Sequence, residues 1–138
     1  MCPDTKALLA YVKLELFFAA ICYYIKINPK PITAMAKKIA EQLIDTLVKS
    51  GVERIYAVTG DSLNEVNEAV RKNDQIKWIH VRHEETGAYA AAAEAQLTGR
   101  PGCCAGSSGP GHVHLINGLY DAHRSGAPVI AIASTIPT

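Results

Sequence analysis

Apolar residues beyond residue 38 alternate between helical spacing and short continuous runs. Residues 39–48 are apolar at the spacing of one helix face, and Gly51 follows as a left-handed helix cap. Four short apolar runs predict strands, at residues 54–58, 76–81, 102–106 and 129–133. Helical segments separate these runs, at residues 61–70, 83–97 and 112–124. The alternation predicts an α/β fold, in which a parallel sheet has helices on both faces.

Two finer predictions concern the helices. Asp61 or Ser62 is expected to cap the helix that follows the first strand. The spacing over residues 112–124 predicts one helix with four apolar residues facing inward, namely Val113, Ile116, Leu119 and Tyr120. Gly118 lies in the interior of that helix, where glycine costs about 1 kcal/mol relative to alanine, so its presence indicates close packing.

The first 34 residues differ in composition from the rest of the chain. They contain no glycine or histidine, and an apolar stretch over residues 8–27 is interrupted by three charged residues, Lys13, Glu15 and Lys26. A charge in the centre of a membrane span costs about 2.5–3.5 kcal/mol on insertion scales. Three interpretations stay open: a packed or interfacial hydrophobic helix, a weak membrane anchor, or translated upstream sequence before a start at Met35. The third accounts best for the composition break, and it predicts a segment of doubtful origin over 1–34 and a domain over 35–138.

Length, charge and cysteine usage exclude several function classes. The chain has 138 residues, of which 49% are apolar, which is enough to bury the core of one domain. A net charge of +1 and the lack of a basic run argue against nucleic acid as a partner. The four cysteines have no metal-like spacing, so we expect a reducing, cytoplasmic location. Cys103 and Cys104 are expected to be small hydrophobic residues in a strand.

Parallel sheets of this kind bind ligands beyond the carboxyl ends of their strands, and Glu84 is predicted to lie there. Glu84 begins a helix whose face carries Ala88, Ala91 and Ala95, which are small enough to let another element approach closely. A carboxyl group enclosed there would be a candidate proton donor or acceptor. The alternative is that Glu84 and Glu85 only favour the positive end of the helix.

A second candidate is the glycine loop, which we define as residues 106–111 with the sequence Gly-Ser-Ser-Gly-Pro-Gly. Its glycines allow the main chain to approach a ligand, and Pro110 stiffens the turn. The sequence matches neither a Walker loop nor the dinucleotide-binding fingerprint. A tight strand-to-helix turn without a ligand is the alternative.

Four ordered motifs together resemble a known family: "YAVTGDSLNEV", "RHEETGAYAAAAEAQLTG", "GSSGPGHVHLINGLYDA" and "PVIAIA". From residue 35 to 138 the chain is similar to the N-terminal, pyrimidine-binding domain of thiamine-diphosphate-dependent enzymes. Within that family the residues of these motifs look like those of pyruvate oxidase or pyruvate dehydrogenase (quinone), and less like those of acetolactate synthase. The resemblance covers about three quarters of the chain.

The resemblance implies roles for individual residues. Glu84 matches the glutamate that hydrogen-bonds N1′ of the aminopyrimidine and acts in catalysis. Gly109, Pro110 and Gly111 match the loop that passes beside the pyrimidine, and Asn117 lies in the helix behind that loop.

Roles are also expected for neighbouring polar residues. His112 and His114 either line the site or have surface or capping roles. His83 is expected to support Glu84, and Asp61 to cap a helix and not to act in catalysis.

The resemblance also implies partners and further cofactors. In the family the active site forms between two subunits, and a diphosphate-binding domain with a Gly-Asp-Gly motif holds Mg²⁺. The pyruvate oxidase branch also binds FAD in a central domain. No Gly-Asp-Gly occurs in this sequence. We therefore expect a C-terminally truncated domain that is inactive alone and needs a second subunit or a complete homologue to act on a 2-keto acid. Membrane association is unsupported for this chain.

Three other hypotheses for the function stay open beside a pyruvate-oxidising enzyme. One is a fragment of an acetolactate-synthase-like carboligase. Another is a stand-alone α/β module whose glycine loop binds a different phosphate ligand at a helix N-terminus. A third is a non-catalytic piece that pairs with a complete homologue.

Overall fold

The structure is a computed structural model that describes residues 37–135. The predicted hydrophobic segment over 1–34 and the proposed start at Met35 lie outside the described residues. The boundary predicted there therefore stays a prediction.

The described residues form a four-stranded parallel sheet in the order β2-β1-β3-β4. The strands are β1 (Arg54–Ala57), β2 (Lys77–His80), β3 (Gly102–Gly106) and β4 (Val129–Ala133). The helices are α1 (Ile39–Lys49), α2 (Asn64–Arg71), α3 (Glu84–Thr98), α4 (Pro110–His114) and α5 (Ile116–Ser125), and a single 3₁₀ turn covers Asp61–Leu63. The predicted parallel α/β fold is confirmed. None of the helices between residues 37 and 135 is both long and apolar enough to cross a membrane.

The core lies on both faces of the sheet because neighbouring strand residues point to opposite sides. On one face, Ile55 of β1 and Cys103 of β3 pack with residues of α1 and α2. On the other face, Cys104 packs with α3, and Tyr56 lies against the same cluster. Cys103 and Cys104 are free and fully buried, as predicted, and burial raises the pKa of each thiol to about 12.

Glycine at two positions lets α3 pack closely against its neighbours. A Cβ built on Gly102 would overlap the carbonyl oxygen of Ala91, so α3 lies directly on the start of β3. A Cβ on Gly118 would lie 2.5 Å from the Cβ of Ala88, so the backbone of α5 approaches that of α3. The close packing predicted from Gly118 is therefore confirmed.

The predicted single helix over 112–124 is wrong. It is two helices, α4 and α5, that meet at Leu115. The predicted inward face is also wrong in three places: Val113, Ile116 and Tyr120 are 52%, 58% and 65% exposed.

Smaller or differently placed residues take up the contact with α3. Leu115, Gly118 and Ala122 are buried, and Leu119 is half-buried against the core. The alanine face of α3 accepts small residues at short range, and Val113, Ile116 and Tyr120 turn away from it.

The predicted capping role of Asp61 or Ser62 is also wrong. Both residues lie within the 3₁₀ turn, and neither this turn nor α2 has a side-chain capping hydrogen bond. The turn tightens the chain after β1 and frees the Ser62 hydroxyl for another contact.

Candidate functional site

Glu84 is the only charged side chain that is buried among residues 37–135, with 9% of its surface exposed. It is the first residue of α3, which begins just beyond the carboxyl end of β2. His83 precedes it with an extended backbone and no side-chain cap. The start of α3 offers backbone N–H groups and a positive dipole end, which favour a carboxylate at this place.

His114 contacts the carboxylate of Glu84 from α4. Its Nδ1 lies 3.2 Å from Oε2 of Glu84, and this is the only hydrogen bond to that carboxylate within the described part of the chain. The His114 side chain is 43% exposed. The pair therefore connects a buried acid to the surface through one imidazole.

The ring of His83 stacks on the ring of His114. The two ring centroids lie 4.6 Å apart, and the ring planes differ by 25°. His83, which is expected to support Glu84, therefore contacts His114 and not the carboxylate itself. The stacking limits rotation of the His114 ring.

The glycine loop closes over Glu84 from the end of β3. A Cβ on Gly111 would lie 3.2 Å from Oε1 of Glu84 and 2.7 Å from Oγ of Ser107. Glycine at this position lets the loop backbone pass close to Oε1, because any side chain there would crowd Ser107 and Glu84. Gly109 has a φ of 76° and a ψ of −128°, a conformation that residues with a side chain rarely adopt.

Serine hydroxyl groups fix the loop, and sequence reasoning missed this function. Ser62 accepts a hydrogen bond from the backbone N–H of Ser108 (2.9 Å) and lies 2.7 Å from Oγ of Ser134. Ser134 donates in turn to the carbonyl of Gly106 (3.2 Å). The loops after β1, β3 and β4 are therefore joined at the same edge of the sheet. The signal in the sequence is a serine in the loop after each of two strands, Ser62 after β1 and Ser134 after β4.

The structure brings together only part of the predicted site. Glu84 and Gly111 are adjacent, whereas Gly109 and Pro110 are exposed at the start of α4. Asn117 is exposed on α5, and Asp61 is exposed in the 3₁₀ turn; neither side chain makes a hydrogen bond to the residues that the structure describes. His112 is half-buried, and its Nδ1 is enclosed without a partner among these same residues.

Comparison with known proteins gives a consistent result. Residues 37–138 match the family profile "Thiamine pyrophosphate enzyme, N-terminal TPP binding domain". The chain is 52% identical to a putative thiamine pyrophosphate-containing protein, YdaP, of Bacillus subtilis, over 74% of this chain and 18% of that protein. It is 47% identical to a pyruvate oxidase of Lactiplantibacillus plantarum, over 70% of this chain and 16% of that enzyme.

A more distant match is a chloroplastic acetolactate synthase of Brassica napus. It is 36% identical, over 73% of this chain and 16% of that enzyme. The chain spans about a quarter or less of the length of the curated relatives that it matches. The profile covers residues 37–138, which include every element of the sheet and the site around Glu84. This chain belongs to the thiamine pyrophosphate enzyme family and carries its N-terminal TPP binding domain.

Proposed function

We propose that this chain is the N-terminal cofactor-binding part of a thiamine-diphosphate-dependent enzyme that oxidatively decarboxylates pyruvate or a related 2-keto acid. The observation that carries this proposal is the buried carboxylate of Glu84 beneath the glycine loop, at the carboxyl edge of a parallel sheet. Ligands of such sheets bind at this edge.

Glu84 would hold the pyrimidine end of the cofactor. The backbone of the glycine loop passes close to Oε1 at Gly111, so a flat ring whose nitrogen hydrogen-bonds the carboxyl group would lie beside this loop. Because Glu84 is enclosed, little water competes for this hydrogen bond, which strengthens it. Glu84 would hold or release a proton at Oε1 as the ring nitrogen requires, while His114 fixes Oε2.

The thiazolium ring of the bound cofactor supplies the electron sink that decarboxylation of a 2-keto acid needs. The described residues contribute position and enclosure. Gly111 lets the loop backbone approach Oε1, and the hydroxyl groups of Ser62 and Ser134 hold the loop in place.

The rest of the active site would come from a second subunit or a complete homologue. No Gly-Asp-Gly motif occurs in the 138 residues, so in this proposal the partner supplies the residues for Mg²⁺ and the diphosphate, and FAD binds there too. Val113, Ile116 and Tyr120 are apolar and exposed on α4 and α5. They support a contact between this face and the partner, since exposed apolar patches mark interaction surfaces. A reducing, cytoplasmic setting is part of the proposal, because the cysteine spacing of the sequence predicts neither a metal site nor a disulfide framework.

Pyruvate oxidation is favoured over carboligation by the comparisons. The identity to the pyruvate oxidase is 47%, whereas the identity to the acetolactate synthase is 36%.

Because these 138 residues contain no Gly-Asp-Gly motif, we expect no thiamine-dependent turnover of pyruvate by the purified chain alone. Turnover by the chain in the absence of any homologue would contradict the need for a partner.

The role of Glu84 is testable in a chimera in which residues 37–138 replace the matching segment of the L. plantarum pyruvate oxidase. The chimera is expected to oxidise pyruvate in a thiamine-diphosphate-dependent reaction. Glu84→Gln should lower kcat by about 100-fold or more, the usual contribution of a proton-transfer group. Glu85→Gln is the matched control, because Glu85 follows it in the first turn of α3 and should leave kcat unchanged.

Two results would count against the proposal. If the folded, flavin-loaded Glu84→Gln chimera keeps its kcat, Glu84 does not have the proposed function. If the unsubstituted chimera instead forms acetolactate from pyruvate and does not oxidise it, this domain favours the carboligase class.

A further inference from the structure

Three side chains at the start of α3 and the end of α4 present metal-binding atoms to one point. Each of His83, Glu84 and His114 offers one ligand atom, and these atoms all lie within 4.8 Å of one another. Glu84 is buried, whereas both histidines are exposed. Two imidazole nitrogens and one carboxylate oxygen are a common ligand set for zinc, with water in the fourth position.

The distance between His114 and Glu84 agrees with binding of a single ion. Two ligand atoms on one tetrahedral zinc ion lie about 3.4 Å apart, given bonds of about 2.0–2.1 Å. Nδ1 of His114 and Oε2 of Glu84 are 3.2 Å apart. The ligand atom of His83 lies within 4.8 Å of the other two, and its exposed side chain would move closer to complete the site.

We propose that His83, Glu84 and His114 bind one divalent transition metal ion of the zinc type. This site differs from a Mg²⁺–diphosphate site, because imidazole nitrogen suits zinc whereas Mg²⁺ prefers oxygen ligands. Because the ion would bind Oε2 of Glu84, it would withdraw negative charge from the carboxylate and weaken the binding of the aminopyrimidine at Oε1. This last clause rests on the proposed function, whereas the metal site itself does not.

The metal site is tested by titrating the tag-free full chain with Co²⁺ and Zn²⁺. We expect one Co²⁺ per chain, with the intense visible bands of a tetrahedral ion, and its displacement by Zn²⁺ with a Kd at or below about 10 μM. His83→Ala and His114→Ala should each weaken Zn²⁺ binding at least tenfold. His80→Ala and His123→Ala are the matched controls, since these exposed histidines lie on β2 and on α5.

The proposal is overturned if no Zn²⁺ binds in this range, or if the control variants weaken binding as much as His83→Ala and His114→Ala. Circular dichroism shows which variants are folded. If His114→Ala unfolds, His114→Gln tests the same contact, since the glutamine amide keeps a hydrogen-bond donor for Glu84 but lacks the imidazole.

Competition with thiamine distinguishes this inference from the proposed function. We expect thiamine to weaken Zn²⁺ binding to the unsubstituted chain. Zn²⁺ binding that depends on both histidines but is unaffected by saturating thiamine would support the metal site and contradict the pyrimidine function of Glu84. Thiamine binding that depends on Glu84, without any Zn²⁺ binding, would overturn the metal site and leave the proposed function intact.

Discussion

Gly118→Ala tests the packing that holds α3, and with it Glu84, in place. The added Cβ would lie 2.5 Å from the Cβ of Ala88 and 2.9 Å from the backbone nitrogen of Tyr89. Unstrained carbon–carbon contacts are about 3.5–4.0 Å, so α5 must move away from α3 by roughly 1 Å. Backbone atoms cannot rotate out of the way, unlike the end of a flexible side chain.

Two opposing effects set the expected magnitude. Alanine favours a helix interior over glycine by about 1 kcal/mol. Overpacking a well-packed core costs typically 1–3 kcal/mol, and the contact with backbone places Gly118→Ala at the upper end. We expect a net loss of about 1–2 kcal/mol, which corresponds to a decrease in Tm of roughly 5–15 °C for a domain of this size.

The assay is urea and thermal unfolding of the full chain followed by circular dichroism. Asn117→Ala is the control, because Asn117 is the neighbouring residue of α5 and is exposed, so its replacement by alanine adds no buried atom. Ala88→Gly removes the nearest atom, so the double variant should recover part of the loss, with a coupling free energy of at least about 0.5 kcal/mol. The reasoning is refuted if Gly118→Ala is about 1 kcal/mol more stable than the unsubstituted chain, as helix propensity alone predicts.

Three further predictions concern other parts of the described chain. At pH 8 the native thiols of Cys103 and Cys104 should not react with a thiol reagent, because burial raises the pKa of each thiol to about 12. In denaturant both thiols should react. Rapid labelling of these two thiols in the native chain would contradict their burial. Glu68 has its pKa lowered to about 2 by the hydrogen bond from Arg71, so its pairing should stabilise the native state above pH 4.5 and this contribution should disappear as the pH falls through about 2. The Tm difference between the unsubstituted chain and Glu68→Gln measures this effect, and a difference that grows toward pH 2 would have the wrong sign. Ser62→Ala removes the hydroxyl that holds the glycine loop and should cost about 0.5–1.5 kcal/mol, with faster amide exchange in that loop; unchanged exchange would show that the hydroxyl does not fix it.

The sheet was predictable from the sequence because each strand is a short apolar run between turn residues. Residues of β3 such as Cys103 and Cys104 are buried on both faces, so the run is apolar without alternation, as in other parallel sheets. The position of Glu84 was predictable because it is an acid at the start of a helix and is followed by alanines. The topology of a parallel sheet places such a helix start at the ligand-binding edge.

The exposed face of α4 and α5 was not predictable from spacing alone. Helical periodicity finds a stripe of large apolar residues, but the close approach of α3 selects Gly118 and Ala122 for the contact and leaves Ile116 and Tyr120 outside. The contact between His114 and Glu84 joins residues 30 positions apart, so it depends on where the glycine loop returns to α3. Local patterns contain no information on that distance.

We propose that Glu84 and the glycine loop bind the pyrimidine end of thiamine. Titration of the ¹⁵N-labelled full chain with thiamine, followed by amide NMR shifts, tests this binding. We predict that the largest saturable shifts occur at Glu84, Gly111 and Ser107, and that Glu84→Gln abolishes them while Glu85→Gln does not. If thiamine leaves these amides unshifted, or if the Glu84→Gln chain responds in the same way, the assignment of the site is wrong.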